Sequence, residues 1–165
     1  MKVRDLMTKE VKYCGPDSSL AAATELMWNA DCGVLPVVED GKLAGIITDR
    51  DISVALGTQN RRASEVPVRD VATRDVQSCA PDADVHTAMS VMRRAKVRRL
   101  PVVEDGKLEG ILALNDIVEA VERKHGDIDY EEVMNTMKAI CEHRGQKRPV
   151  SAAPTSKPPI AAAVA

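Results

Sequence analysis

At 165 residues the chain has room for one or two small domains. Its 44% apolar content can build a core, but with no Phe, two Tyr and one Trp that core is aliphatic, and the aromatic platforms used by single-strand nucleic-acid binders are scarce. A formal net charge of -2 gives no overall field for DNA or anionic lipid, and no apolar run approaches the roughly 20 residues needed to span a bilayer.

The first eleven residues carry charges throughout and have no apolar stretch, which predicts no secretory leader. A short strand is expected at 11–14, ahead of Pro16-Asp17-Ser18. Asp17 or Ser18 can cap a helix whose apolar positions Leu20, Ala23, Met27 and Ala30 fall at helical spacing. The apolar run 34–38 has strand length, Asp40-Gly41 signals a hairpin, and 43–47 is the partner strand. A second helix is predicted from Thr48 to a cap near Gly57. Residues 59–67 are polar, contain Pro67 and read as a linker.

The chain then repeats itself. Leu35-Pro36-Val37-Val38-Glu39-Asp40-Gly41-Lys42-Leu43 returns unchanged at Leu100 to Leu108, an offset of 65 residues. The same offset aligns Arg4-Asp5 with Arg69-Asp70, Thr8 with Thr73, Cys14 with Cys79, Pro16-Asp17 with Pro81-Asp82, Gly45-Ile46 with Gly110-Ile111 and Asp51 with Asp116. About 24 of 53 ungapped positions agree. The second copy therefore predicts a strand near Val76, a helix over about 82–95, strands near Leu100 and Leu108, and a helix over about 114–123. The expected organisation is a first copy at 1–58, a linker at 59–66, a second copy at 67–124, an amphipathic helix at 127–142 and a disordered tail at 143–165. The 127–142 helix rests on Val133, Met137, Ile140 and Cys141 at helical spacing. A unit of roughly 55 residues is marginal alone. The expected fold is α/β (α+β): two β-α-β-β-α repeats packed with pseudo-twofold symmetry, leaving two clefts between their sheets.

The stretch Gly45-Ile46-Ile47-Thr48-Asp49-Arg50-Asp51 reads Gly, two apolar residues, Thr, two variable residues, Asp. With the Leu-Pro-Val-Val strand before it and the tandem arrangement, it resembles the cystathionine-beta-synthase (CBS) domain, over residues 3 to about 123. The resemblance implies a pair of domains that binds an adenosine-containing ligand between the copies: AMP, ADP, ATP, S-adenosylmethionine or NAD. It implies no required cofactor, a flat homodimeric disc, and a sensor's role toward an effector protein. It also places a basic residue before the Leu-Pro-Val-Val strand near ligand phosphates, which singles out Arg98 and Arg99 in the second copy. On a strand these two face opposite sides, so one of them can reach a cleft.

The residues themselves suit such a ligand. A carboxylate at Asp51, in the first turn of its helix, can accept from both ribose hydroxyls. The helix N-terminus favours phosphate, and the Thr48 hydroxyl adds a hydrogen bond. Val11, Cys14, Val34 and Pro36 can line an adenine slot, with Val76, Cys79 and Pro101 as counterparts. Thr48-x-x-Asp51 is equally a capping box. Asp116 is retained in the second copy although Ala113 stands where Thr48 does, which favours a ligand role for the carboxylate.

Four widely spaced cysteines without a C-x-x-C pair argue against a disulfide framework and fit a reducing, cytoplasmic setting. Cys141-x-His143 could supply half a metal site, but no second half is visible in the sequence, and no metal site is expected. No nucleophile–base or paired-carboxylate spacing marks an enzyme. The expected partners are thus a small adenosine-containing molecule, a second copy and an effector protein, with neither nucleic acid nor membrane. The competing expectation is a ligand-independent interaction module.

Overall fold

The computed structural model describes residues 1–122 and 128–142. Helix α1 (Leu20–Asn29), strands β1 (Val34–Glu39) and β2 (Lys42–Thr48) and helix α2 (Asp49–Gln59) form the first copy. Helix α3 (Val85–Ala95), strands β3 (Arg99–Glu104) and β4 (Lys107–Ala113) and helix α4 (Leu114–Glu122) form the second, and α5 (Tyr130–Cys141) follows. The sheets are two antiparallel hairpins, β1-β2 and β3-β4. Their tips are Asp40-Gly41 (φ 50 and 76) and Asp105-Gly106 (φ 50 and 82). Two successive positive φ values make the turn whose twist matches the strands it joins, and Asp-Gly tolerates them. The expected helix end near Arg123 and the tail at 143–165 lie outside the described residues.

Several boundaries differ from the sequence expectation. Ser19, not Asp17 or Ser18, caps α1 by accepting from the Ala22 N–H at 3.2 Å. Helix α2 runs through Gly57 to Gln59, and Asn60 (φ 50) takes the left-handed position that ends it. The strands expected at 11–14 and near Val76 shrink to single parallel bridges, Cys14 to Val37 and Cys79 to Val102. Gly15-Pro16 and Ala80-Pro81 follow at once, and a proline has no N–H to extend a ladder.

The larger difference is an exchange of segments between the copies. Val3 is fully buried in the core of the second copy, and Val66 and Val68 are buried in that of the first. Val3 N–H donates to the Ala83 carbonyl at 2.9 Å, and Thr8 and Ile111 exchange both backbone hydrogen bonds at 2.9 and 3.0 Å. Under the 65-residue offset, Val68 N–H donates to Ser18 at 2.8 Å, and Thr73 and Ile46 exchange bonds at 2.9 Å each. Two ion pairs clamp the exchange, Arg4 to Asp82 at 2.6 Å and its counterpart Arg69 to Asp17. The pseudo-twofold symmetry thus runs through reciprocal strand additions as well as sheet contact. The segment read as linker ends inside a core, with Val66 only 1% exposed.

Helix α5 covers α3 and α4. Val133 and Thr136 are buried beneath it, and Ile140 packs on the same cluster. His86 Nδ1 lies 2.5 Å from Glu132 Oε2, and Arg93 Nη1 donates to Glu132 Oε1 at 3.3 Å and to Thr136 Oγ1 at 3.0 Å. In the first copy Ala21 and Trp28 stand at the positions of His86 and Arg93, so no equivalent latch exists on α1. Trp28 is instead 84% exposed.

Candidate functional site

Strand alternation gives each hairpin two faces. Leu35, Val37 and Ile47 enter the first core; Leu100, Val102 and Leu112 enter the second. The intervening residues take the other face: Val34, Pro36, Ile46 and Thr48 in one copy, Arg99, Pro101, Ile111 and Ala113 in the other. Register pairs Val34 with Thr48 and Arg99 with Ala113, so each rung ends at the helix bearing the candidate carboxylate.

Thr48 and Asp51 form a complete capping box. Thr48 N–H donates to Asp51 Oδ2 at 3.1 Å, the Thr48 hydroxyl lies 2.7 Å from the same oxygen, and Asp51 N–H donates to Thr48 Oγ1 at 3.1 Å. In the second copy Ala113 N–H donates to Asp116 Oδ2 at 2.8 Å. The carboxylate half of the box therefore survives without the hydroxyl. This removes the inference drawn from sequence that retaining Asp116 beside Ala113 points to a ligand, because the backbone N–H alone accounts for it. In both copies these bonds fall on Oδ2.

Burial pushes the Asp116 carboxyl above its ordinary range; the Ala113 N–H lowers it, Glu119 raises it, and Arg99 lowers it. A carboxyl whose folded pKa is raised holds its proton more tightly in the native state, so native stability falls as pH rises. Asp116→Asn keeps an oxygen for the Ala113 N–H and removes the charge. Its melting temperature is expected to match wild type below the ordinary carboxyl value of 3.8, to exceed it by a widening margin as pH rises through the raised value of the folded carboxyl, and to hold that margin above it. Thermal melts across pH check this, and parallel profiles for the two proteins would contradict it.

Of the two arginines, Arg99 is the one on the carboxylate's side of the strand. It is half-buried, sits on the Ala113 rung and acts electrostatically on Asp116. Arg98 is exposed, and its carbonyl accepts from Leu114 N–H at 2.9 Å. The first copy has Val34 at the Arg99 position, 6% exposed. Cys14 and Cys79 do not join this face. Cys14 packs in the first helix-side core and Cys79 against the second. Burial raises both thiols, Cys79 to about 11, which leaves them protonated and poor nucleophiles near neutral pH. Val11 and Val76 are half-buried three residues before the bridges.

Two open cavities lie on the first copy. One, of about 360 Å³, is lined by Tyr13, Cys14, Ser18 and Glu25 among others. The other, of about 650 Å³, lies between α1 and α2 and is lined by Trp28, Asp31, Asp49 and Ile52 among others. Neither takes in Thr48 or Asp51. Among the described residues no group of three His, Cys, Asp or Glu side chains could hold a metal ion, and no helix is long and apolar enough to cross a membrane.

Sequence reasoning missed why the motif begins with Gly. A Cβ on Gly110 would stand 2.6 Å from the Thr8 carbonyl oxygen, and one on Gly45 would stand 3.0 Å from that of Thr73. The glycines admit the exchanged segments. The available signal was the matching of Thr8 with Thr73 and of Gly45 with Gly110 at one offset.

Comparison with known proteins agrees with this architecture. A family profile for the CBS domain matches residues 3–57 and again 68–123. The chain is 36% identical over 115 residues to the CBS domain-containing protein YhcV of Bacillus subtilis, covering 70% of this chain and 81% of that protein. Among solved structures it is similar to the CBS domain pair of protein MJ0100 in complex with 5'-methylthioadenosine and S-adenosyl-L-methionine, with TM-score 0.68 and 27% identity, covering 75% of this chain and 98% of that one. It is also similar to Hypoxic Response Protein I with two coordinated zinc ions, with TM-score 0.67 and 29% identity, covering 72% and 98%.

Proposed function

That this chain belongs to the CBS domain family, as a tandem pair, is the premise from which we propose that it senses an adenosine-containing nucleotide between its two copies and signals to a separate effector protein in the cytoplasm. A CBS pair is a regulatory module rather than a catalyst. The observation that carries the ligand reading is the repeated rung on the inter-copy face: Val34–Thr48 beside Asp51, and Arg99–Ala113 beside Asp116. Each rung sets an apolar or cationic side chain against a helix N-terminus and a carboxylate. Ribose fits the carboxylate, phosphate fits the helix N-terminus, and adenine fits the apolar strand face with Pro36 or Pro101. The adenosine ligands of the MJ0100 pair support this chemical class.

Ligand preference shifts the population of relative orientations of the two copies, which is the signal a partner reads. The two sites differ in charge. Arg99 makes the second suited to a more anionic ligand, whereas Val34 makes the first suited to the nucleoside part. Arg99→Ala is expected to weaken ATP by about tenfold or more, since a charge-assisted bond contributes about 1.5–3 kcal/mol. It should leave 5'-methylthioadenosine unchanged. Isothermal titration of both ligands decides the point, and equal effects on both would remove Arg99 from the site.

One observation favours a second reading, a ligand-independent interaction module. Both carboxylates already serve as helix caps. If AMP, ADP, ATP, NAD, S-adenosylmethionine and 5'-methylthioadenosine all fail to bind below about millimolar, the interaction module replaces the sensor.

A further inference from the structure

The pseudo-twofold gives both copies the same seat for a covering helix, and α5 covers one of them. In the second copy α5 lies over α3 and α4. Its acids meet the cations of α3: Glu132 meets His86 and Arg93, and Glu142 meets Lys96 at 3.1 Å. The 65-residue offset carries that seat onto the open groove between α1 and α2. The floor of the groove is Met27 and Ile52, both 5% exposed, with half-buried Leu56 beside them. Its rim holds the exposed Trp28, Asp31 and Asp49. Among the described residues, none that lines it is cationic. Where the second copy has His86, Arg93 and Lys96, the first has Ala21, Trp28 and Asp31. No Lys, Arg or His stands between Lys12 and Lys42. Asp31 also opposes its local electrostatics. It follows the last turn of α1 at φ 47, and Lys96 holds the matching place after α3 at φ 54. The carbonyl groups at a helix C-terminus favour a cation, so Lys96 suits its place and Asp31 does not. Asn tolerates that backbone equally well, so the turn itself does not require the charge.

We propose that this groove is the docking site for an amphipathic helix with a basic flank, contributed by a separate protein. Charge complementarity names the occupant. Helix α5 shows what the seat takes when its rim is cationic: Val133 and Ile140 turn inward, and acids line the flank. With the rim reversed in sign, the same geometry takes the same apolar face with Lys or Arg on the flank. Trp28 is the anchor, because a tryptophan over an apolar floor is the side chain that most often carries such a contact. A second copy does not meet the requirement. A twofold contact centred on α1 would set acid against acid, and the matching cations of α3 are engaged by α5. The proposal gives a surface to the effector half of the sensor reading and rests on that reading for the partner's role alone. A nucleotide titration that fails leaves the groove standing, and a groove that fails leaves the ligand reading standing.

The test uses the full chain, without nucleotide, and two synthetic peptides copied from residues 128–142. The outer row of that helix is the exposed Tyr130, Met134 and Met137, and a staple between the first two positions holds each peptide helical. One peptide keeps its acids, and the other carries E131K/E132K/E142K. Trp28 is the one tryptophan of the chain, so its emission reports on the groove directly. The basic peptide should move that emission to shorter wavelength and bind at least about tenfold tighter than the acidic one. The D31K chain should reverse the preference, with unchanged circular dichroism because Asp31 is exposed. Trp28→Ala, followed by titration calorimetry, should weaken the basic peptide by about tenfold or more. Binding of neither peptide, equal binding of both, or a preference untouched by D31K overturns the proposal. So does a Trp28 emission that changes with protein concentration, which would seat a second copy in the groove. So does an emission shifted by R144Q/K147Q/R148Q, which would seat this chain's own C-terminal segment there.

Discussion

A chain lacking residues 1–8 should melt about 10 °C below the full chain, although the deletion removes no part of either hairpin or of α1 to α5. The reason is that this segment belongs to the core of the second copy. Val3 is fully buried there, and a buried Val contributes about 1.5–3 kcal/mol. Five backbone bonds are lost with it: Val3 to Ala83, Arg4 to Pro81, Val85 to Met1, and the reciprocal pair between Thr8 and Ile111. Each contributes roughly 1 kcal/mol net, and part of the sum is offset by the entropy of the freed segment. The Arg4–Asp82 pair adds little, because both ends stand largely in water. A net loss near 3 kcal/mol corresponds to about 10 °C for a chain of this size.

Gly110→Ala gives the same test from the opposite side. Its new Cβ would meet the Thr8 carbonyl oxygen at 2.6 Å, backbone that cannot swing away without unzipping the exchanged strand. The substitution should destabilise the full chain strongly and cost little in the chain already lacking residues 1–8. Scanning calorimetry on the four proteins measures the coupling. If the deletion and Gly110→Ala effects simply add, the segment does not hold the second copy as described.

The repeat, both hairpins and all five helices could be read from the sequence because each rests on a local signal. Asp40-Gly41 makes its turn whatever surrounds it, and Leu20, Ala23 and Met27 share a helical face. The exchange of segments could not be read that way. Arg4, Thr8 and Asp17 match Arg69, Thr73 and Asp82 equally well whether each segment packs on its own copy or on the other, since a duplication makes the alternatives identical in pattern. Asp17 looked like a helix cap for the same reason: its partner Arg69 is 52 positions away in the chain. Which of the two arginines stands on the carboxylate's side was not legible in the sequence. Of Arg98 and Arg99, alternation permits only one to face Asp116, and register with Ala113 identifies Arg99. The outer row of α5 was merged with the inner one, because Val133, Met137, Ile140 and Cys141 satisfy helical spacing over a broad arc while the packing divides them.

Asp51 is where cap and ligand chemistry compete, and three variants separate them. Asp51→Ala removes both the carboxylate and the hydrogen bond to the Thr48 N–H, so on the sensor reading it should weaken nucleotide binding by about 10–100-fold and also cost about 1 kcal/mol of stability as a lost cap. That result alone is ambiguous, because a loosened helix start also displaces whatever binds at it. Asp51→Asn resolves the ambiguity: its amide oxygen can still accept from the Thr48 N–H at the 3.1 Å position now held by Oδ2, while the charge that ribose hydroxyls would meet is gone. On the sensor reading the Asn variant keeps most of the stability and loses at least about tenfold in affinity. Ser19→Ala supplies the converse control, because it removes the cap of α1 in the same copy, away from the Thr48–Asp51 box. It should lose about 1 kcal/mol of stability and bind as wild type does. Titration and thermal melts of all three place each variant on two axes. Affinity that follows charge identifies Asp51 as a ligand residue. Affinity that follows stability, with Asn harmless and Ser19→Ala harmful, makes the Thr48–Asp51 box a cap and nothing more.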